Sequence, residues 1–269
     1  ALSSTCLFAP QFEMALIPAG LGYQGCAAKK GDACKSDEIP QVNVSLLAFW
    51  IDRYEVTVAR YKACVTAGVC KAPALSGTGC TYSGTDTGQH PINCVTKAEA
   101  AAYCTWYGSS ATKKPTGRLP SEAEWERAAR GGCEYYPSGD CQAQIVTYVW
   151  GDTPPPSCKQ AIVKDGTGEG CDGSKTVAIV ARPNTDRSQS FVYDLGGSVS
   201  EWVQDLYSAT YYASLGNGVV KNPVNTSSGS DTVVRGASYA SDKNDLRAAR
   251  RASAAKGAAT IGFRCVIEL

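Results

Sequence analysis

The chain has 269 residues, with 26 basic and 25 acidic side chains, 13 cysteines, one histidine (His90) and one methionine (Met14). A net charge of +1 gives no electrostatic footprint for nucleic acid or an anionic membrane. A single imidazole excludes sites built from two or three histidines, and no apolar run reaches the roughly 18 residues of a membrane span.

Hydrophobic content of 43% is enough to build a core, so the cysteines read as disulfide reinforcement. They imply an oxidising setting: extracellular, cell-surface or periplasmic. The first residues, ALSSTCLFAP, show no charged segment followed by an apolar stretch, so a signal peptide is expected to have been removed already.

Residues 1–13 read as an N-terminal arm that carries Cys6. Short apolar segments follow at 14–18 and 42–51, and a helix is predicted over 56–67 with Gly68 as its stop. The second helix begins at Thr96, where Thr96-Lys97-Ala98-Glu99 is a capping box. Its small residues Ala98, Ala101, Ala102 and Thr105 share a narrow face suited to close packing. The third begins at Ser121 with a second capping box, Ser121-Glu122-Ala123-Glu124, and stops at Gly131-Gly132.

Further apolar segments lie at 145–150, 176–180, 232–235 and 262–267, separated by glycine-rich turns. Segments 151–174 and 207–230 read as long loops, the first tied down by its cysteines. This is an α+β pattern: about three main helices, small sheets and much irregular, disulfide-tied loop. Asn43-Val44-Ser45 and Asn225-Thr226-Ser227 match the short glycosylation sequon.

Proximity groups Cys26 with Cys34, Cys133 with Cys141, and Cys158 with Cys171. Cys64, Cys70, Cys80 and Cys94 form a local set with three pairings open. No phosphate-cradling loop and no nucleophile elbow is present.

Eight segments in order resemble the formylglycine-generating enzyme, or sulfatase-modifying-factor, family. They are MALIPAG (14–20), FWIDRYEVTVARYKACVTAG (49–68), HPINCVTKAEAAAYCTWYG (90–108), GRLPSEAEWERAARGG (117–132), YVWGD (148–152), VYDLGGSVSEWVQDLY (192–207), VVRGASY (233–239) and GFRC (262–265). The resemblance implies one compact domain over 14–269 with a C-type-lectin-like core and two small antiparallel sheets. It also implies a disulfide between Cys104 and Cys265.

Family members that oxidise a sulfatase cysteine use a copper-binding cysteine pair placed between the GGSY-like and GFRC-like motifs. Here residues 240–261 read ASDKNDLRAARRASAAKGAATI and hold no cysteine. A second branch uses iron held by three histidines, which His90 alone cannot build. A calcium site does match the family pattern position by position. Its ligands would be the side chains of Asp194 and Glu201 and the carbonyls of Gly197 and Val199, a hard-oxygen set suited to calcium. Arg247, Arg250 and Arg251 stand where the copper pair would be, as a candidate anionic or glycan pocket or as buried ion-pair partners.

The expectation is a non-catalytic, secreted or cell-surface bacterial protein that uses this fold for binding, adhesion or extracellular assembly, with structural calcium as its cofactor. Its partners would be a protein or glycan ligand or further copies of itself, with Cys6 as a candidate interchain cysteine. The alternatives are a modifying enzyme of the same family with an altered active site, and a self-associating subunit of an extracellular layer or filament.

Overall fold

A computed structural model describes residues 13–27, 33–112, 117–136, 140–164, 166, 168–171, 173 and 185–269. Cys6 and the apolar segment 176–180 lie outside the described residues.

In chain order the strands are β1 (Met14–Ile17), β2 (Gly20–Gln24), β3 (Val42–Leu46) and β4 (Phe49–Asp52), followed by helices α1 (Val58–Thr66) and α2 (Lys97–Thr112). Then come β5 (Gly117–Arg118), α3 (Glu122–Arg130), the one-turn α4 (Cys141–Gln144), β6 (Ser200–Leu206) and the one-turn α5 (Tyr211–Ser214). The chain closes with β7 (Val220–Lys221), β8 (Thr232–Arg235), β9 (Arg251–Ala254), β10 (Ile261–Gly262) and β11 (Val266–Glu268).

Three sheets form among the described residues, where the resemblance implied two. One, ordered β1-β4-β11-β5, is antiparallel throughout. The other two, β10-β6-β8-β9 and β2-β3-β7, each include one parallel pair. In these two a strand formed late in the chain, β10 or β7, adds to an edge by a long connection, so its direction is set by loop packing and not by a hairpin. The segment 145–150 forms no strand, only a turn and isolated bridges, and 207–230 carries α5 and β7 inside what reads as loop.

The three long helices start where their caps direct. Thr57 Oγ1 accepts from the Arg60 amide, so α1 begins two residues after the predicted start. Thr96 and Glu99 exchange bonds of 3.2 and 2.7 Å, and Ser121 and Glu124 do the same at 3.2 and 2.7 Å. Gly131 ends α3 at φ 76°, where a Cβ would also meet the Tyr135 ring at 2.7 Å.

The small-residue face of α2 is not the packing face. Ala98, Ala102 and Thr105 point to solvent, while Ala100, Tyr103, Cys104 and Tyr107 are buried. Aromatic area decides the orientation: Tyr103 stacks on Tyr61 at 5.7 Å and meets Phe263 edge-on at 5.5 Å. The Cys104–Cys265 disulfide closes the same core, linking α2 to the turn before β11. A second apolar cluster, with Trp125, Ile51, Val203 and Val233, lies between α3 and the sheets.

Candidate cation and ligand sites

Helix α3 is buried along its whole length, including Glu122, Glu124, Glu126, Arg127 and Arg130. Burying five charged side chains is tolerable only if each is paired. Arg235 from β8 reaches Glu122 at 2.9 Å and Glu126 at 2.8 Å. Arg251 from β9 clasps Glu122 through two bonds of 2.6 and 2.9 Å, with its guanidinium 4.2 Å from the Tyr212 ring centre. Arg130 pairs with Glu126 at 2.7 Å. The conspicuous motifs SEAEWER and VVRG are thus two halves of one buried ionic lattice.

The same helix reaches the loop before β6. Trp125 Nε1 donates to Glu201 Oε2 at 2.8 Å, and Arg264 donates to both Glu201 oxygens at 2.8 and 2.7 Å. Asp186 accepts from the amides of Gly196 and Gly197, each at 2.9 Å on Oδ2, and so shapes the loop that carries Asp194 to Glu201. Gly197 is forced by close approach, because a Cβ there would lie 2.5 Å from the Ile162 carbonyl oxygen. Asp194 and Ser198 take left-handed conformations at φ 57° and 68°, giving the loop its tight bends.

Of the four proposed calcium ligands, the carbonyls of Gly197 and Val199 accept no hydrogen bond from a described residue. Glu201 already holds Arg264 and Trp125, leaving one lone-pair direction on Oε1. Asp194 is half-buried beside it. The residue that sequence reasoning missed is Glu55. Its side chain is 0% exposed and neither carboxylate oxygen has a hydrogen-bond partner from another residue. Burial, with Asp194 next, raises its pKa well above the ordinary value. Asp186 is raised likewise, by burial first and then by Asp194.

Glu55, Asp186, Asp194 and Glu201 thus gather around the single buried guanidinium of Arg264. The two orphaned Glu55 oxygens, with Asp194 and Glu201 near, fit a hard divalent cation that would displace the proton. Among the described residues no three acidic, histidine or cysteine side chains converge on one point. A cation here would therefore take its shell from two carboxylates, backbone carbonyls and water, the mixed oxygen set that calcium accepts.

The arginine trio does not line one pocket. Arg247 is buried and pairs with Glu38 through both terminal nitrogens, with Cys26 Sγ 3.8 Å away. Arg250 and Arg251 do line a shallow depression of about 600 Å³ with Lys35, Tyr207 and Ser253. Arg251 is committed to Glu122, whereas Arg250 and Lys35 share the single carboxylate of Asp245 at 2.8 and 3.4 Å. Asp37 lines the same depression, so its charges balance and Arg250 is its partly exposed guanidinium.

Six disulfides hold all twelve described cysteines: Cys26–Cys34, Cys64–Cys70, Cys80–Cys94, Cys104–Cys265, Cys133–Cys141 and Cys158–Cys171. The set left with three pairings is thereby resolved, and no described cysteine is a free thiol. They fit an oxidising location, and no helix among the described residues is long and apolar enough to cross a membrane. His90 sits in the turn before α2, its amide bonded to the Thr87 carbonyl and its carbonyl to the Val58 amide. Asn225 is buried, with its amide donating to Leu206 and Ser228, so that sequon is structural.

Comparison with known proteins places this geometry in a family. The chain is 31% identical over 223 residues to a formylglycine-generating enzyme of Thermomonospora curvata, covering 79% of this chain and 66% of that protein. It is 29% identical over 277 residues to the serine/threonine-protein kinase Pkn1 of Chlamydia trachomatis, covering 96% of this chain but 38% of that protein. The chain therefore spans less than two thirds of the length of either relative. Among solved structures, PvdO from Pseudomonas aeruginosa superposes with a TM-score of 0.74 at 23% identity, over 95% of this chain and 94% of that one. The model of the sulfatase-modifying factor enzyme 1-like domain matches residues 5–269, and the chain belongs to that formylglycine-generating-enzyme-like family.

Proposed function

We propose that this chain is a non-catalytic binding module of its family, acting outside the cytosol with a structural calcium ion on the 186–201 loop. One observation carries the reading: residues 240–261 hold no cysteine, and their arginines 247 and 251 are spent on buried ion pairs with Glu38 and Glu122. A soft copper ion needs thiolates, and the described cysteines are all oxidised to disulfides. What this segment offers to solvent is Arg250, which with Lys35 and Asp37 lines a polar depression where an acidic group of a protein or glycan can compete with Asp245 for the guanidinium.

The test has two arms on the full chain. A cysteine-containing sulfatase-motif peptide is incubated with the protein, copper, oxygen and a thiol reductant, and conversion is read by mass. Binding to immobilised dextran sulfate is measured against salt for the wild type and Arg250→Gln. No conversion, with saturable, salt-sensitive binding weakened by Arg250→Gln, is expected. Turnover of the peptide, or binding indifferent to Arg250→Gln, overturns the reading.

A further inference from the structure

A second cavity, of about 580 Å³, opens on the other side of the single 3-10 turn Lys243–Leu246. Lys159, Lys164, Lys243 and Asp242 line it, with Pro156 and Val163 as apolar wall. Among the described residues none of the three lysines is in an ion pair, and neither is Asp242. Among the described residues, three ammonium groups and one carboxylate line this cavity. That contrasts with the rest of the molecule, where the buried arginines are matched to carboxylates.

The cavity is also preformed. The loop that carries Lys159 and Lys164 is clamped by Cys158–Cys171; Cys158 is part of the lining, and both cysteines pack against the cluster beneath. The Lys164 amide donates to the Ser241 carbonyl at 2.9 Å, and the Gly170 amide to the Tyr239 carbonyl at 2.8 Å. Thr185 Oγ1 holds the Lys159 carbonyl at 2.8 Å. Under the floor, Ala161, Val163, Ala237 and Leu246 form a buried cluster of their own. The cavity has the volume usual for small-ligand sites, and rigid walls lower the ordering cost of binding.

We propose that this cavity binds a small organic oxyanion, its doubly charged end held by Lys159, Lys164 and Lys243 and its apolar body laid on Pro156, Val163 and the disulfide. The site lies beyond the Lys35–Arg250 depression and does not depend on it.

Titration calorimetry of the full chain at low salt, with phenyl phosphate, phthalate and inorganic phosphate as probes, tests it. Saturable one-site binding is expected for phenyl phosphate or phthalate, tighter than for inorganic phosphate. Whichever of the two binds more tightly identifies the oxyanion as phosphate or dicarboxylate. The exposed double variant Lys164→Gln/Lys243→Gln should weaken it about fivefold to thirtyfold. Lys256→Gln, an exposed lysine outside the cavity, should leave it unchanged. Three results overturn the proposal: no saturable binding of either aromatic probe, inorganic phosphate binding as tightly as both, or equal weakening by Lys256→Gln and the double variant. None of these bears on the Arg250 arm of the preceding experiment.

Discussion

Replacing Glu55 by Gln is the sharpest test of the buried acidic cluster. The wild-type protein sets four carboxylates, Glu55, Asp186, Asp194 and Glu201, around Arg264, and leaves both Glu55 oxygens without partners. If calcium fills that deficit, calcium at about a hundredfold excess over Kd stabilises the native state by about 2.7 kcal/mol. For a chain of this size that is a rise in Tm of about 5–10 °C over the value in chelator. Gln keeps the shape of Glu55 and removes its charge. A loss of calcium affinity of about 10–100-fold, typical when a supporting group of a metal site is removed, cuts the stabilisation to about 1.4–0.4 kcal/mol at the same calcium. In chelator the variant should match or exceed the wild type, since an amide tolerates burial better than a carboxylate. Differential scanning calorimetry of both proteins, with calcium and with chelator, reads all four values. Glu134→Gln, which faces the buried Arg127 outside this cluster, should keep the full calcium shift and serves as control. A wild type indifferent to calcium, or a Glu55→Gln protein that keeps the full calcium shift, refutes the reasoning.

Two further outcomes are expected. Glu122→Gln removes the charge that faces Arg235 and Arg251, leaving Arg251 no carboxylate, only the amide oxygen and the Asp37 and Ser208 carbonyls. It should cost about 3–5 kcal/mol by urea unfolding, and a loss below about 1 kcal/mol would show that the lattice is not energetically coupled. Asp205 is pushed up to about 7, by burial first and then by Glu122. The native state therefore keeps a proton that the unfolded chain has lost, so this contribution is full below about pH 4 and is lost as pH rises through about 7. Its size is at most about 4 kcal/mol, and urea midpoints should fall from about pH 4 to about pH 7 and level off above that. Asp205→Asn should flatten that fall, and an unchanged slope in the variant would assign it elsewhere.

Much of the fold was legible because its signals are local. A capping box satisfies its own amides within four residues, so Thr96 and Ser121 announce their helices without tertiary help. Gly131 does the same for the end of α3. The face of α2 was misread because small residues mark a close approach only when larger ones do not claim the core first. Tyr103 and Tyr107 claim it here. At the cation cluster, Asp194 and Glu201 stand in one motif, but Glu55 and Asp186 reach it from separate segments. No spacing rule joins residues 55, 186 and 194.

By itself the sequence determined the family, the three long helices with the starts of α2 and α3 and the stops of α1 and α3, and the oxidising chemistry implied by thirteen cysteines beside one histidine. Each rests on residue identities or on contacts a few residues apart. Only the tertiary structure decided the pairing of Cys64, Cys70, Cys80 and Cys94, the parallel edge strands of two of the three sheets, and the fate of the arginines. Arg247 and Arg251 went to buried carboxylates while Arg250 pairs with the partly exposed Asp245. A guanidinium's partner depends on which carboxylate the folded chain buries within about 3 Å of it, and that is set by packing across long sequence distances.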